Sequence, residues 1–271
     1  VTPVAHESAA GLAFERAGSG PAVLLLHGIG GGRRIWGEGG SGTTAALAAG
    51  GFDTFALDLP GYGDSRSATP GGIAAMATQV ARWQDALALP PLLIVGHSMG
   101  GMVAQELAAT APERVAGLVL ACTSAAFGPP GGDWQAKFVA DRLAPLDAGL
   151  GMAGMAERLV PGMLSRHAQR GAGAAAMAVM AAVPESTYRI VLAGIVAFDR
   201  RADLARIRVP TLCLAGEHDG TAPPAVLERM AARIPGVEFQ VLAGAGHIAN
   251  VEQPAAFNAA VLDFLQRRFL H

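Results

Sequence analysis

The chain has 271 residues, 51% of them hydrophobic and 15% charged, with a formal net charge of −2. That suits one large α/β domain with a sizeable core, and the near-neutral balance argues against a nucleic-acid or polyanion partner. No unbroken run of about 18 apolar residues predicts a membrane span, and Val1 to Ala10 has no basic-then-apolar leader, so a cytoplasmic protein is expected.

Residues 4–7 and 11–16 are expected to form a short β-hairpin around Ser8-Ala9-Ala10. Ala22-Val23-Leu24-Leu25-Leu26 is a continuous apolar run, the pattern of a strand buried on both faces of a parallel sheet. It runs into His27-Gly28-Ile29-Gly30-Gly31-Gly32, a glycine-rich loop at the position where open α/β sheets bind ligands. A phosphate-binding role would call for a following Lys-Ser/Thr or a Gly-x-Gly-x-x-Gly helix start, and neither is there. A short helix is expected at 43–49 and a strand at 52–57. Asp58-Leu59-Pro60-Gly61-Tyr62-Gly63-Asp64-Ser65 follows, dense in turn residues, with Asp58 and Asp64 expected to cap turns in a surface loop. A helix over 72–88 ends at Pro90-Pro91. Strand 92–96, helix 99–110 and a buried strand from Val115 to Ala121 come next. Cys122 and, further on, Cys213 lie in apolar runs and read as buried, reduced thiols.

From 125 to 198 the strand rhythm lapses. Helix-like stretches near 133–143, 151–160, 164–182 and 185–197, rich in Ala, Met, Gly and Leu, predict a helical cap inserted after the sixth strand. The core resumes with strand 209–215, helix 223–233, strand 237–242 and a last helix over 253–268, whose Phe257, Val261, Phe264 and Leu265 share one face. The alternation predicts a mostly parallel sheet with helices on both faces. Its two core parts, 1–124 and 199–271, flank the cap at 125–198.

The chemistry is concentrated at Gly96-His97-Ser98-Met99-Gly100-Gly101, between an apolar strand and a helix. A Gly-x-Ser-x-Gly turn in that setting presents a serine on a strained strand-to-helix elbow. Serine is a weak nucleophile unless a base stands beside it. His247, in Gly244-Ala245-Gly246-His247-Ile248 just past the last strand, falls at the same sheet edge, and so does Asp219, in Gly216-Glu217-His218-Asp219-Gly220. The order Ser98, Asp219, His247 is that of the elbow-type hydrolases. Glu217 is the rival acid, set too close to the strand end to reach freely. An oxyanion needs N–H donors. The Met99 amide opens a helix and is one; the Ile29 amide is the expected second. His97 and His27 are expected to pack or support, and His218 to be incidental. Trp36 and Trp134 are candidate substrate contacts, with plain packing as the alternative. The methionines of the cap, where they face the cleft, would give an adaptable apolar pocket. No His, Cys, Asp and Glu group has metal-ligand spacing, so no metal or cofactor is expected.

From His27 onward the chain resembles the α/β-hydrolase superfamily. The motifs that carry the likeness are His27-Gly28-Ile29-Gly30-Gly31, Asp58 to Ser65, Gly96 to Gly101, Asp219, and Gly246-His247-Ile248-Ala249-Asn250-Val251-Glu252-Gln253-Pro254. Within it the chain is similar to the 3-oxoadipate enol-lactonase-like esterases in Ala197-Phe198-Asp199-Arg200-Arg201-Ala202-Asp203-Leu204 before Ile207-Arg208-Val209-Pro210-Thr211, in Asn250-Val251-Glu252-Gln253-Pro254 and in Trp134. The resemblance implies a serine hydrolase that cleaves small carboxylic esters or lactones through an acyl-enzyme on Ser98. The apolar cap predicts an apolar or modest-sized small-molecule substrate. A serine nucleophile argues against the related dehalogenases and epoxide hydrolases, which use aspartate. Two alternatives stay open: a carbon–carbon bond hydrolase of vinylogous diketones, and a slow-turnover ligand receptor on the same fold.

Overall fold

A computed structural model describes residues 5–37, 39–65, 68–128 and 133–270. The chain begins with β1 (Ala5–Ala9), β2 (Leu12–Gly18) and β3 (Ala22–Leu26), then α1 (Thr43–Ala49), β4 (Asp53–Leu57) and α2 (Ile73–Ala86). β5 (Leu92–His97), α3 (Met99–Thr110) and β6 (Val115–Ala121) follow. Next come α4 (Asp133–Asp147), α5 (Gly151–Met163), α6 (Ala172–Ala181) and α7 (Glu185–Val196). β7 (Thr211–Gly216), α8 (Pro224–Ala231), β8 (Glu238–Leu242), α9 (Ala249–Glu252) and α10 (Pro254–Phe269) complete the core.

Among the described residues the strands form one eight-stranded sheet, β1-β2-β4-β3-β5-β6-β7-β8. β2 runs antiparallel to β1 and β4; the pairs from β4 to β8 are parallel. β3, β5 and β7 are buried along their whole length, as continuous apolar runs require of strands covered on both faces. β3 has β4 on one side and β5 on the other, so the strand order reverses there. The crevice opened at such a reversal, beyond the carboxyl ends of the strands, is where α/β sheets bind ligands. The loop after β3 and the turn after β5 meet in it.

The hairpin expected around Ser8-Ala9-Ala10 turns two residues later, at Ala10 and Gly11, both with positive φ (49° and 79°), as a two-residue hairpin turn requires. Residue 4 of its first expected strand lies outside the described residues, as do residues 129–132 of the expected cap. The helical cap does follow the sixth strand. Its base is closed by an isolated bridge between Ala126 and Asp199 and by Arg200, which grips the buried Glu106 of α3 at 2.7 and 2.5 Å. The helix expected over 164–182 is only α6. The chain before it gives its amides elsewhere: Ser165 N–H to the Glu252 side chain, Gln169 N–H to the Glu252 carbonyl. Among the described residues no single helix is long and apolar enough to cross a membrane.

Candidate active site

Ser98 sits between β5 and α3 at φ 52°, ψ −116°, a conformation that L-residues hold only when the surroundings impose it. Its N–H donates to the Ala121 carbonyl (2.9 Å), and its carbonyl accepts the Thr123 hydroxyl (2.7 Å), so the end of β6 and the residues just after it hold the serine from both sides. Gly100 is required by close approach: a Cβ there would collide with the Leu26 carbonyl of β3.

The structure brings the three predicted side chains together. His247 Nε2 lies 3.1 Å from Ser98 Oγ, and His247 Nδ1 lies 2.8 Å from Asp219 Oδ2. The carboxylate requires a proton on Nδ1, which leaves the Nε2 lone pair facing the serine hydroxyl. Burial opposes the Asp219 charge, but His247 and the Ala222 and Thr221 N–H groups outweigh it, and the carboxyl is held below its ordinary value. Glu217 instead accepts the Gly244 N–H at the surface.

The loop carrying His247 is itself held. Glu252, fully buried in α9, accepts N–H groups from Gly246 (2.9 Å), Ile248 (2.9 Å) and Ser165 (2.6 Å). Burial raises its carboxyl above the usual range, and the three N–H groups act against that. The His247 N–H donates to the Met163 carbonyl at the end of α5, and its carbonyl accepts from His97 Nε2 at 2.7 Å. Burial, then the neighbouring His247 imidazole, pulls His97 down to about 4, so it stays neutral and donates from Nε2. Glu252 carried no assigned role in the sequence; its signal was its place in the Gly246 to Pro254 motif, five residues after His247.

On the other wall, His27 supports the glycine loop. Its Nδ1 donates to the Gly28 carbonyl (2.8 Å), and its Nε2 accepts the Leu59 N–H (3.1 Å). Among the described residues the Ile29 and Met99 amides donate no hydrogen bond within the protein, and both residues line the cleft. Asp58 is not a surface turn cap. It is buried, pairs with the buried Arg33 guanidinium and accepts the Arg33 and Asp64 N–H groups, so it ties the glycine loop to the turn after β4. His218 stays at the surface, stacked on His167.

Trp36 is not a substrate contact: it is fully buried and packs on Phe257, with no surface left for the cleft. Trp134 is 48% exposed and does line the cleft, beside Phe127 and Phe138. Tyr188 and Arg142 of the cap also line it, and no pattern in the cap singles them out. Among the described residues no group of three or more His, Cys, Asp or Glu is arranged to hold a metal ion.

A sequence model of the alpha/beta hydrolase family matches residues 23–260. The protein belongs to the alpha/beta hydrolase family. The hydrolase is 36% identical, over 255 residues and 92% of each chain, to a Variovorax paradoxus protein provisionally named carbamate hydrolase RutD. Its fold matches a thermophilic esterase from Thermogutta terrifontis, solved with malate bound, at a TM-score of 0.84 and 28% identity, covering 98% of this chain and 99% of that one. It matches the enol-lactonase of Burkholderia xenovorans at a TM-score of 0.81 and 26% identity, covering 97% and 100%. The enol-lactonase likeness bears out the resemblance in the motifs. The carbamate hydrolase likeness is one the motifs did not suggest.

Proposed function

We propose that this hydrolase cleaves small carboxylic esters or lactones through an acyl-enzyme on Ser98. The observation that carries the reading is the pair of short contacts from one imidazole, 3.1 Å to Ser98 Oγ and 2.8 Å to Asp219 Oδ2. Ser98 Oγ attacks the substrate carbonyl while His247 Nε2 takes its proton. The developing oxyanion is held by the Ile29 and Met99 amides, which have no other acceptor among the described residues. His247 then protonates the leaving alcohol, and Asp219 steadies the imidazolium. Water deprotonated by His247 attacks the acyl carbon, and Ser98 leaves with the acid released. The cap helices α4 to α7 set substrate shape, and each step uses this chain's own residues and water.

The esterase and enol-lactonase neighbours support this class of carbonyl substrate. The relative named for carbamates favours a second reading, a carbamate carbonyl attacked by the same serine. A panel of acetyl and butyryl esters, a γ-lactone, a carbamate and a vinylogous diketone separates them, with a fluorophosphonate probe in parallel. The expected result is ester or lactone turnover, probe labelling at Ser98, and a loss of about 10³-fold or more in Ser98→Ala. Turnover of the carbamate or the diketone alone would replace the substrate class. A folded protein that turns over nothing in the panel and is not labelled would overturn the reading.

A further inference from the structure

The cleft has two lobes, both lined by Ser98, Ile29, Met163, Tyr188 and His247. One, about 60 Å³, is apolar, walled by Ile35, Val160, Ala176 and Met180. The other, about 340 Å³, is different in kind. Trp134, Phe138 and Arg142 line it from α4, four residues apart and so on one helix face. The rings of Trp134 and Phe138 stack at 5.8 Å, Phe127 closes on both at 5.2 and 4.7 Å, and the Arg142 guanidinium stands 5.1 Å over the Phe138 ring. Its other neighbour is the buried Tyr188 phenol. Burial pushes that phenol up and the nearby Arg142 cation acts against it; Tyr188 lines both lobes and Arg142 the wide one.

Among the described residues lining either lobe, Arg142 is the one permanent charge. The acids that flank it on α4 are engaged elsewhere, Asp141 with Lys137 and Asp147 with Arg189. A half-buried guanidinium against aromatic faces with no carboxylate partner holds a planar fork of donors that a carboxylate fits. A single cation matches a single negative charge.

Taking the Ser98 hydrolase reading as its basis, we propose that the wide lobe binds a carboxylate-bearing half of the substrate, anchored on Arg142, with Trp134, Phe138 and Phe127 covering the short apolar chain. The small lobe takes the uncharged half. The substrates are then half-esters of dicarboxylic acids, or esters and lactones bearing one free carboxylate. The lobe adds a charged anchor to a cleft whose cap is apolar in composition.

The test compares isosteric pairs: ethyl hydrogen glutarate against ethyl glutaramate, and acetylglycolate against acetylglycolamide. Each pair differs only in a carboxylate against its neutral amide. The wild type is expected to favour the carboxylate member of at least one pair by about tenfold or more in kcat/KM, through KM, as expected for a hydrogen bond to a charged group. Arg142→Gln should erase the preference and Arg142→Glu should reverse it. Arg206→Gln removes an equally charged but exposed side chain outside both lobes and should leave the ratio as it is. Calorimetric binding of glutarate to wild type and Arg142→Gln supplies a readout without turnover. Preference in neither pair, or a preference kept in both Arg142 variants, overturns the proposal. If no ester is turned over, Arg142-dependent glutarate binding upholds the anion site while the hydrolytic reading falls. Arg142-independent binding, or none, sinks the site.

Discussion

Glu252 reaches around His247. Its two carboxylate oxygens accept the N–H groups of Gly246 and Ile248, the residues immediately before and after the imidazole, and one of those oxygens also takes Ser165 N–H from the cap. The loop that presents the imidazole is therefore fixed at both of its shoulders by one buried side chain. Glu252→Gln replaces an acceptor by an NH₂ group that faces amide donors. Each donor left buried and unpaired costs about 1–3 kcal/mol. The expected outcome is a lower Tm together with a kcat loss that exceeds any change in KM, read from thermal unfolding and from steady-state kinetics on one ester.

Asp219→Asn keeps the shape of the side chain but lets the imidazole take the wrong tautomer, with its proton on the side of Ser98. The expected loss in kcat is about 10³- to 10⁴-fold, with little change in Tm. Steady-state kinetics and the rate of fluorophosphonate labelling should fall together.

His97 predicts a pH dependence of stability. Its pKa is about 4 in the fold against the ordinary histidine value of 6.5, so between those pH values the unfolded chain binds a proton that the native state refuses. Stability from this group is complete above pH 6.5 and is lost as pH falls toward 4, about 3 kcal/mol in all. His27, also lowered by burial, acts in the same direction. His97→Gln retains a donor for the His247 carbonyl and removes the titration. Urea unfolding at pH 7.5 and pH 4.5 should show a smaller difference for the variant than for the wild type.

Met180 sets the size of the small lobe, where it packs close to Gly30. Met180→Ala should shift preference among p-nitrophenyl esters from acetyl toward butyryl and hexanoyl, while costing about 2–5 kcal/mol of stability as a buried truncation. The ratio of kcat/KM values along the ester series checks the first, and denaturant unfolding the second.

Much of the core was legible because its signals are local. Ala22 to Leu26 and Val115 to Ala121 are unbroken apolar runs, and they are strands at the expected bounds. Ser98, Asp219 and His247 each follow a strand, and parallel strands bring all three to one edge. What was missed depends on distant partners. Asp58 looks like a turn residue until Arg33 reaches it from the glycine loop. Residues 164–171 have helical composition, but Glu252, more than eighty positions away, takes the Ser165 and Gln169 amides. In the cap, alanine and methionine fall on every face, so the pattern does not say that Arg142 and Tyr188 turn inward or that α5 runs on through Pro161.

The hydrogen bonds from Met163 and Ser165 bear on how a guest gets in. The cover is stitched to the proton acceptor's loop at the junction of α5 and the chain before α6. Lifting the cover from that end would drag the imidazole away from the hydroxyl it serves. The cap and the imidazole are therefore one unit at this end, and whatever loosens the first there misaligns the second.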